Sequence, residues 1–360
     1  MVQMSLNIEL CVLPDPLVDV LRGYATLRPV RDLRYPENCT FRQFHDFLLN
    51  HLLLLPFFVA YPPSLQYQQQ FWKWALSYLE SMPIDEEDNE IDSRLYEHRV
   101  SLMCNTGVPS ELGSAPPSPS YFTYLWRREG AAAFESATLL ESRTTIESGT
   151  TGLKTWRASL VLAQYLVGHR DLVRGKRLLE LGSGAGLLGI IAAGIQLQHP
   201  PECESILLTD ANSEVLARCL KNVNLACNKS AAHPRIATAR LDWTDSLDPE
   251  GVKSVQDLLE KASPDVILGA DVVYDPSIIS PLVETLRIAL ENQNRTAFIA
   301  LTERNQNTLA QFVQTARAAL AMEELQITLS DMGTFWGISD LGDSMPDQNV
   351  KIFQLSTRRP

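Results

Sequence analysis

The chain has few of the features that mark secreted, membrane-spanning or zinc-binding proteins. Its six cysteines form no C-x-x-C pair and no zinc-ligand spacing, and scattered thiols are typical of a reducing compartment. The longest apolar run, FLLNHLLLLPFFVAY, is interrupted by Asn50, His51 and Pro56 and falls short of the about 20 residues that cross a bilayer. The N-terminal residues show no secretory-signal pattern. We therefore expect a cytoplasmic protein with no membrane segment.

Positive charge is also scarce. The 360 residues include 31 Lys and Arg against 43 Asp and Glu, a formal net charge of -12. An acidic chain has no broad attraction for nucleic acid or anionic membranes, so we expect no direct nucleic-acid binding. The acidic surface suits a basic protein partner, although it also simply keeps a protein soluble. We expect a monomer.

Composition divides the chain into four stretches. Residues 1–82 carry apolar residues at three- and four-residue spacing, which predicts a helical module. Residues 83–118 are acidic and then rich in Pro and Ser, which indicates a linker, with a short helix predicted at SRLYEHRVSLM. Residues 119–150 are predicted to form a β-hairpin-like extension, because the stretch SATLLESRTTIESGTTG alternates and is rich in Thr, Ile and Leu. Residues 151–360 alternate between strand and helix patterns, which predicts an α/β domain with a mainly parallel sheet.

The turn LLELGSGAGLLG fits two ligand templates. Gly184, Gly186 and Gly189 satisfy the G-x-G-x-x-G pattern of a dinucleotide site. Gly182, Gly184 and Gly186, preceded by Glu180, instead satisfy the E-x-G-x-G-x-G pattern of an S-adenosylmethionine (AdoMet) site. In either template the glycines let the backbone approach the ligand, and the helix that follows favours negative charge.

The acidic residues around this turn separate the two templates. Asp210 ends the next strand, where an acid would bind ribose hydroxyls of either ligand. Glu180 lies just before the turn, where its carboxylate suits the ammonium group of AdoMet, whereas a dinucleotide strand usually runs apolar into its first glycine. The sequence therefore favours AdoMet.

Other candidate site residues fall near the same ends of the predicted strands, where ligands bind in open α/β sheets. Trp156 precedes the helix that leads into the first strand, and Trp243 follows the third strand. Either indole could line a ligand site or belong to the core. Ala270, Asp271 and Tyr274 come at the end of the fourth strand.

A set of short motifs carries a resemblance to a known family. The motifs are TGLKTW, LELGSGAGLLG, LTDAN, LKNVNLA, LDW and ILGADVVYD. Together they resemble the family 16 class I protein-lysine methyltransferases, and Asp271 and Tyr274 match that family's D-x-x-Y motif. Within the family the chain is similar to the branch that methylates translation elongation factor 2. The segments that carry this second likeness are FHDFLLNHLLLLPFF, YQQQFWKWALSYLES and LTERNQNT.

The resemblance implies a fold, a cofactor and a substrate. The fold is a seven-stranded, mostly parallel Rossmann-like sheet whose last strand, KIFQLST, runs antiparallel, preceded by the small helical module. The cofactor is AdoMet, no metal is implied, and the partner is a protein substrate, with translation elongation factor 2 the implied one. The implied cofactor contacts are Trp156, Gly182, Ser183, Gly184, Asp210, Trp243 and Ala270.

The resemblance also implies the catalytic residues. Asp271 would orient the lysine amine and Tyr274 would line the lysine channel, although Asp271 could instead be a structural acceptor for turn amides. Two alternatives stay open. One is a methyltransferase of another protein, a small molecule or nucleic acid, although DVVY lacks the N-P-P-Y-like tetrad that favours base amines. The other is a non-catalytic AdoMet-binding module. The helical module either selects the substrate or packs permanently on the sheet.

Overall fold

The computed structural model describes residues 13–83, 90–105, 117–127, 134–198, 203–291, 294–326 and 349–358, and the backbone of 335–336. The α-helices are α1 (Asp15–Ala25), α2 (Phe41–Asp46), α3 (Pro56–Ala60), α4 (Leu65–Ser81), α5 (Ser93–Cys104), α6 (Arg157–Gly168), α7 (Leu187–Gln196), α8 (Ser213–Val223), α9 (Pro249–Ala262), α10 (Ile279–Ala289) and α11 (Gln306–Ala319). The strands are β1 (Ser120–Arg127), β2 (Phe134–Glu141), β3 (Leu178–Leu181), β4 (Ile206–Asp210), β5 (Ile236–Arg240), β6 (Val266–Ala270), β7 (Thr296–Thr302), β8 (Ala321–Leu325), β9 (Phe335–Trp336) and β10 (Val350–Ser356). No helix in these ranges combines the length and apolar character needed to cross a membrane.

Helices α1 to α5, here called the helical module, pack around one apolar core. Phe71 and Trp72 of α4 are fully buried in it, and each such side chain contributes about 2 to 3 kcal/mol by leaving water. Ser64 caps α4 by accepting the Tyr67 N–H at 3.4 Å. The Tyr67 hydroxyl donates to the Gly23 carbonyl of α1 at 2.9 Å, which fixes the two helices together.

The short helix predicted at SRLYEHRVSLM is confirmed as α5, and it lies inside the stretch interpreted as linker. Leu95 and Leu102, seven residues apart on one helix face, are buried in the core of the helical module. Gln69 of α4 donates its Nε2 to the Leu102 carbonyl at 2.7 Å. Residues 84–89 and 106–116 of the same stretch lie outside the described residues.

Strands β1 and β2 form an antiparallel hairpin, with Ser120 opposite Glu141 and Arg127 opposite Phe134. The backbone of β9 pairs with the other edge of β1. The alternating stretch that predicts this hairpin contributes only β2. The residues after β2 turn back through Ser148 (φ 50°) instead, because a left-handed residue favours a tight turn over a longer second strand.

The hairpin joins the helical module on one side. Leu125 of β1 is buried in the same apolar cluster as the module, and the rings of Tyr61 and Tyr121 lie 5.2 Å apart, edge to face. Arg143, just after β2, donates to the Gln66 side chain of α4 at 3.1 Å. Module and hairpin therefore share one continuous core.

Two asparagine side chains attach the other side of the hairpin to the large sheet domain. Asn228 accepts the Thr138 N–H at 2.9 Å and donates to the Thr138 carbonyl at 2.8 Å. Asn222 accepts the Leu140 N–H at 2.8 Å and donates to the Ala185 carbonyl at 2.9 Å. These amides supply to β2 the hydrogen bonds that a neighbouring strand would supply. The side chain of Asn222 therefore bridges the hairpin and the glycine turn.

The large sheet confirms the predicted α/β fold. Its seven strands have the order β5-β4-β3-β6-β7-β10-β8. Strands β3 to β7 run parallel to one another, and β10 is antiparallel to both of its neighbours, β7 and β8. Successive side chains point to opposite faces, so Leu178 packs with α6 and α7 while Leu179 packs with α10 and α11. Helices therefore cover both faces, as a parallel sheet requires.

The apolar pattern of LQITLSD, residues 325–331, predicts a strand, but the strand begins before this segment. Strand β8 runs over Ala321–Leu325, and residues 327–334 lie outside the described residues. The pattern of the preceding run LAQFVQTARAALA, residues 309–321, predicts a helix to its end, but α11 stops at Ala319 and Leu320 is extended. Pairing of Met322 with Leu355 of β10 outweighs helix propensity here, because propensity is a weak preference that tertiary context overrides.

Candidate active site

A cleft opens at the carboxyl ends of β3, β4 and β6. The chain leaves β3 toward β4 on one side and later returns to β6 on the other, and such a reversal leaves a crevice for a ligand. The structure brings all the residues predicted to contact the cofactor into the lining of this cleft: Trp156, Gly182, Ser183, Gly184, Asp210, Trp243 and Ala270. Asp271 and Tyr274 line the same cleft.

The glycine turn forms the floor of the cleft in a conformation that suits glycine. Gly182, Gly184 and Gly186 have φ of 62°, 52° and 96°, a region that side chains rarely adopt. A Cβ at Gly184 would lie 3.1 Å from the carbonyl oxygen of Gly152 across the cleft wall. Gly189 differs, since its Cβ would lie 2.6 Å from a methyl of Leu208, so it lets α7 pack closely on the sheet.

Glu180 is a buried carboxylate at the end of β3, with 4% of its surface exposed. Burial raises its pKa to about 8, the Gly189 N–H opposes that rise, and the nearby Asp210 carboxylate adds to it. Its Oε2 has no hydrogen-bond partner within the described part of the chain. An orphaned carboxylate oxygen at a cleft is suited to a cationic group of a ligand, and the ammonium of AdoMet fits that requirement.

Asp210 stands at the end of β4. Its Oδ1 accepts the Asn212 N–H at 3.0 Å, and its Oδ2 accepts the Gly184 N–H at 3.4 Å. Burial raises the pKa of this carboxyl group, and the backbone donors oppose the rise. A carboxylate has about four lone-pair positions, so acceptor capacity remains for the ribose hydroxyls of a nucleoside.

Trp243 closes another side of the cleft. A Cβ at Gly182 would lie 3.4 Å from the six-membered ring of this indole, so the indole packs against the glycine turn. Its Nε1 is buried and has no partner among the described residues. An aromatic face with an unused donor suits a flat heteroaromatic group such as adenine.

Trp156 is held by a polar anchor that sequence reasoning missed. Its Nε1 donates to the Thr151 carbonyl at 3.0 Å. The neighbouring Thr155 donates its N–H and hydroxyl to the buried Glu141, at 3.0 and 2.7 Å, and the Tyr124 hydroxyl donates to the same carboxylate at 3.1 Å. Burial raises the pKa of Glu141. In the sequence, this anchor is indicated only by Glu141, a glutamate at the end of an apolar strand.

Asp271 follows β6 directly, in a left-handed conformation with φ of 53°. Its Oδ1 accepts the Thr302 N–H at 2.9 Å, and its Oδ2 accepts the Thr302 hydroxyl and an Arg304 N–H, both at 2.9 Å. Only 5% of the side chain is exposed. The carboxylate is therefore firmly oriented by the end of β7, through two residues that sequence reasoning missed.

Tyr274 lies at the mouth of the cleft with 64% of its surface exposed. Partial burial raises the pKa of its hydroxyl, and the carboxylates of Asp210, Asp275 and Asp242 raise it further. These carboxylates make the mouth an acidic environment. Asp275 also caps the short turn that follows, by accepting the Ser277 N–H at 2.7 Å.

Comparison with known proteins identifies the family. The lysine methyltransferase family matches residues 136–318. The chain belongs to this family. The enzyme is 32% identical over 257 residues to Protein-lysine N-methyltransferase EFM3 of Chaetomium thermophilum, covering 70% of this chain and 72% of that protein. It is 31% identical over 291 residues to Protein-lysine N-methyltransferase EEF2KMT of Homo sapiens, covering 77% of this chain and 78% of that protein.

Solved structures of other methyltransferases are more distant from this lysine methyltransferase. The methyltransferase domain of bacterial CtHen1-C is 13% identical, with a TM-score of 0.37, and covers 56% of this chain and 98% of that chain. Magnesium protoporphyrin IX methyltransferase from Synechocystis with bound SAM is 10% identical, with a TM-score of 0.32, and covers 56% of this chain and 79% of that chain.

Proposed function

We propose that this methyltransferase transfers a methyl group from AdoMet to the ε-amine of a lysine in a protein, and that the protein is translation elongation factor 2. The observation that carries the proposal is a buried Glu180 oxygen that has no hydrogen-bond partner among the residues that the structure describes. This oxygen lies at a glycine turn whose cleft is also lined by Asp271 and Tyr274. A cationic cofactor satisfies that oxygen, and the two other residues lie where a second substrate enters.

The side chains divide the binding of the cofactor among them. AdoMet, when bound, supplies a methyl group on a positively charged sulfur. Glu180 binds its ammonium group, Asp210 accepts hydrogen bonds from its ribose hydroxyls, and Trp243 packs on its adenine. The backbone N–H groups at the start of α7 favour its carboxylate. The remaining contacts come from Trp156, Gly182, Ser183, Gly184 and Ala270.

The protein contributes to methyl transfer mainly by placing an uncharged amine. A free lysine has a pKa of about 10.4, and its ammonium form has no lone pair with which to attack. Alignment of the amine and exclusion of water lower the barrier. Asp271 orients the amine and Tyr274 forms one wall of the channel through which the lysine side chain enters.

Two observations support elongation factor 2 as the proposed substrate: the similarity to EEF2KMT proteins and the exposed apolar side chains of the helical module. EEF2KMT proteins of Homo sapiens and Bos taurus cover 77% and 75% of this chain, a span wider than the family match. The module exposes apolar side chains, among them Val59 at 70% and Met103 at 62%, which suits contact with a folded partner. A bare lysine offers little discrimination, so contacts away from the amine supply it. We place the reaction in the cytoplasm.

Incubation with radiolabelled AdoMet and purified elongation factor 2 tests the proposal. We expect label on one lysine, located by mass spectrometry. Label on another protein of a cytosolic lysate but not on elongation factor 2 would refute the substrate and keep the reaction class. AdoMet binding with no transfer to any protein would favour a non-catalytic module.

The role of the helical module is tested separately by Val59→Asp. This variant should methylate elongation factor 2 more slowly while binding AdoMet with unchanged affinity. Leu220→Asp, on the exposed face of α8, is the matched control. Equal rates for Val59→Asp and the control would mean that the module around Val59 has only a packing role.

A further inference from the structure

Arg304 contacts two residues of the candidate site: Asp271, predicted to orient the lysine amine, and Trp156, predicted to contact the cofactor. Its guanidinium donates to Oδ2 of Asp271 at 2.9 Å and lies over the ring of Trp156, 4.6 Å from the centroid. About a third of its side chain is exposed, at 31%. With Tyr274 and Thr302 it also lines a small groove beside the cleft. The residue belongs to LTERNQNT, a segment that the cofactor site does not use.

The contacts of Arg304 hold it in place from both sides. Trp156 is fixed by the hydrogen bond from its own Nε1 to Thr151, and Asp271 is fixed by the Thr302 N–H and hydroxyl. A guanidinium that stacks on an indole and pairs with a carboxylate is pre-organised by both groups. Arg304 therefore has a fixed position behind Trp156 and Asp271, two residues that line the cleft.

The charges that line the cleft are mainly negative. Besides Asp271, the titratable groups in its lining are Lys154, Asp210, Asp242, Tyr274 and Glu180, of which Glu180 has a pKa raised to about 8 by burial and is uncharged near neutral pH. Burial raises the pKa of the Tyr274 hydroxyl, and the carboxylates of Asp210, Asp275 and Asp242 raise it further. The field of these carboxylates also stabilises an incoming lysine as its ammonium. That protonation state cannot accept a methyl group. The positive charge of Arg304, held beside Asp271, opposes this stabilisation of the ammonium form.

We propose that Arg304 is a positioning residue that cancels the charge of Asp271 and thereby favours the uncharged form of the target amine. The proposal rests on the proposed methylation of lysine. Asp271 keeps its orienting role, because its lone pairs exceed the three donors that it already accepts. Arg304 acts through Asp271 and Trp156 and does not itself exchange a proton with the substrate.

The pH dependence of single-turnover methylation separates this role from a purely structural one. Arg304→Met exposes the incoming amine to an uncompensated carboxylate, which should raise the apparent pKa of the rising limb by about one unit. The rate near neutral pH should then fall about tenfold and recover at high pH. Arg304→Lys restores a positive charge and should keep the wild-type profile. An equal loss at every pH in Arg304→Met, with no shift, would overturn the proposal.

A binding measurement tests the same idea without any protein substrate. In the presence of saturating S-adenosylhomocysteine, n-butylammonium should bind Arg304→Met about tenfold more tightly than wild type near neutral pH. Equal affinities in the two proteins would overturn the proposal. If wild type methylates no protein at any pH, the proposed function fails, whereas this titration still decides the role of Arg304.

Arg177→Met is the matched control for both measurements. Arg177 makes the same kind of pair, with Asp265, at the opposite end of β6. It should leave the pH profile and the n-butylammonium affinity unchanged. A shift of similar size in this control would show that any lost arginine moves the profile, and the proposal would be wrong.

Discussion

Strand β6 has an aspartate directly before it and another directly after it, and each is paired with an arginine. At the amino end, Asp265 accepts two hydrogen bonds from the Arg177 guanidinium, at 2.7 and 3.1 Å, with 33% of the aspartate side chain and 41% of the arginine side chain exposed. At the carboxyl end, Asp271 is 5% exposed and accepts a single bond from Arg304.

The difference between these pairs is one of burial and strain. Asp265 also accepts the Arg177 N–H at 2.9 Å, so this pair links the starts of β3 and β6 and supports the fold. Asp271 is held at φ of 53°, and a left-handed non-glycine residue costs on the order of 1–3 kcal/mol. Strain of this kind persists where the surrounding structure enforces it. The pair at the amino end of β6 therefore supports the fold, whereas Asp271 at the carboxyl end lines the cleft of the proposed active site.

The strongest test of this comparison removes each aspartate in turn. Asp271→Ala should reduce methyl transfer at least about 100-fold, because a slightly misplaced amine loses that much rate, while AdoMet affinity changes little. Asp265→Ala should leave the rate close to wild type. Steady-state kinetics and calorimetric AdoMet titrations check both. Wild-type activity in a folded Asp271→Ala protein would reduce Asp271 to a turn residue.

A smaller effect, on AdoMet affinity, is expected at the glycine turn, which lies at the same carboxyl edge of the sheet as Asp271. Gly184→Ala should weaken AdoMet binding at least about tenfold, because its φ of 52° and the Gly152 carbonyl at 3.1 Å force the turn to move. Gly194→Ala lies inside α7, and outside its own helix backbone and chain neighbours no described residue comes within 4 Å of the added Cβ. This variant should bind AdoMet normally. Equal affinities in the two variants would show that the turn does not contact the cofactor.

Glu180, at the carboxyl end of β3, should make the affinity for AdoMet depend on pH. The folded pKa of about 8 means that the carboxyl group is protonated near neutral pH, and it must lose that proton to bind an ammonium. AdoMet affinity should therefore rise with pH below about 8, up to about tenfold per unit. Glu180→Gln should bind more weakly and lose this slope. Calorimetry across a pH series measures both, and a wild-type affinity that is flat below pH 8 would contradict the assignment.

The smallest expected effect concerns stability at the amino end. Asp265→Ala should lower the free energy of unfolding by about 1 kcal/mol near neutral pH, because partly exposed pairs contribute little. Arg177 lowers the pKa of Asp265, so this contribution is present above the unfolded-state pKa of about 3.9 and disappears as the pH falls through the lower folded value. Urea unfolding near neutral and at strongly acidic pH measures it. A loss that persists at acidic pH would point to packing rather than charge.

The sequence predicts the parts of this protein that local patterns determine. Apolar runs such as VILGA indicate buried strands, and the glycine spacing after Glu180 indicates the ligand turn. The partner of β2 is harder to predict, because β1 (Ser120–Arg127) lies upstream of the alternating stretch that predicts the hairpin. The bond between Arg304 and Asp271 joins residues 33 positions apart. It exists only because β6 and β7 are neighbours in the sheet, which no local pattern specifies.

The amide bonds from Asn222 and Asn228 have a consequence for how the protein can evolve. Their partners on the hairpin are backbone atoms of Thr138 and Leu140, so the attachment does not depend on which side chains the hairpin carries. Selection can therefore alter the outward side chains of the hairpin, and of the helical module that packs on it, without detaching either from the glycine turn. If the helical module selects the substrate, as proposed above, substrate choice and methyl transfer can diverge at separate rates within one chain.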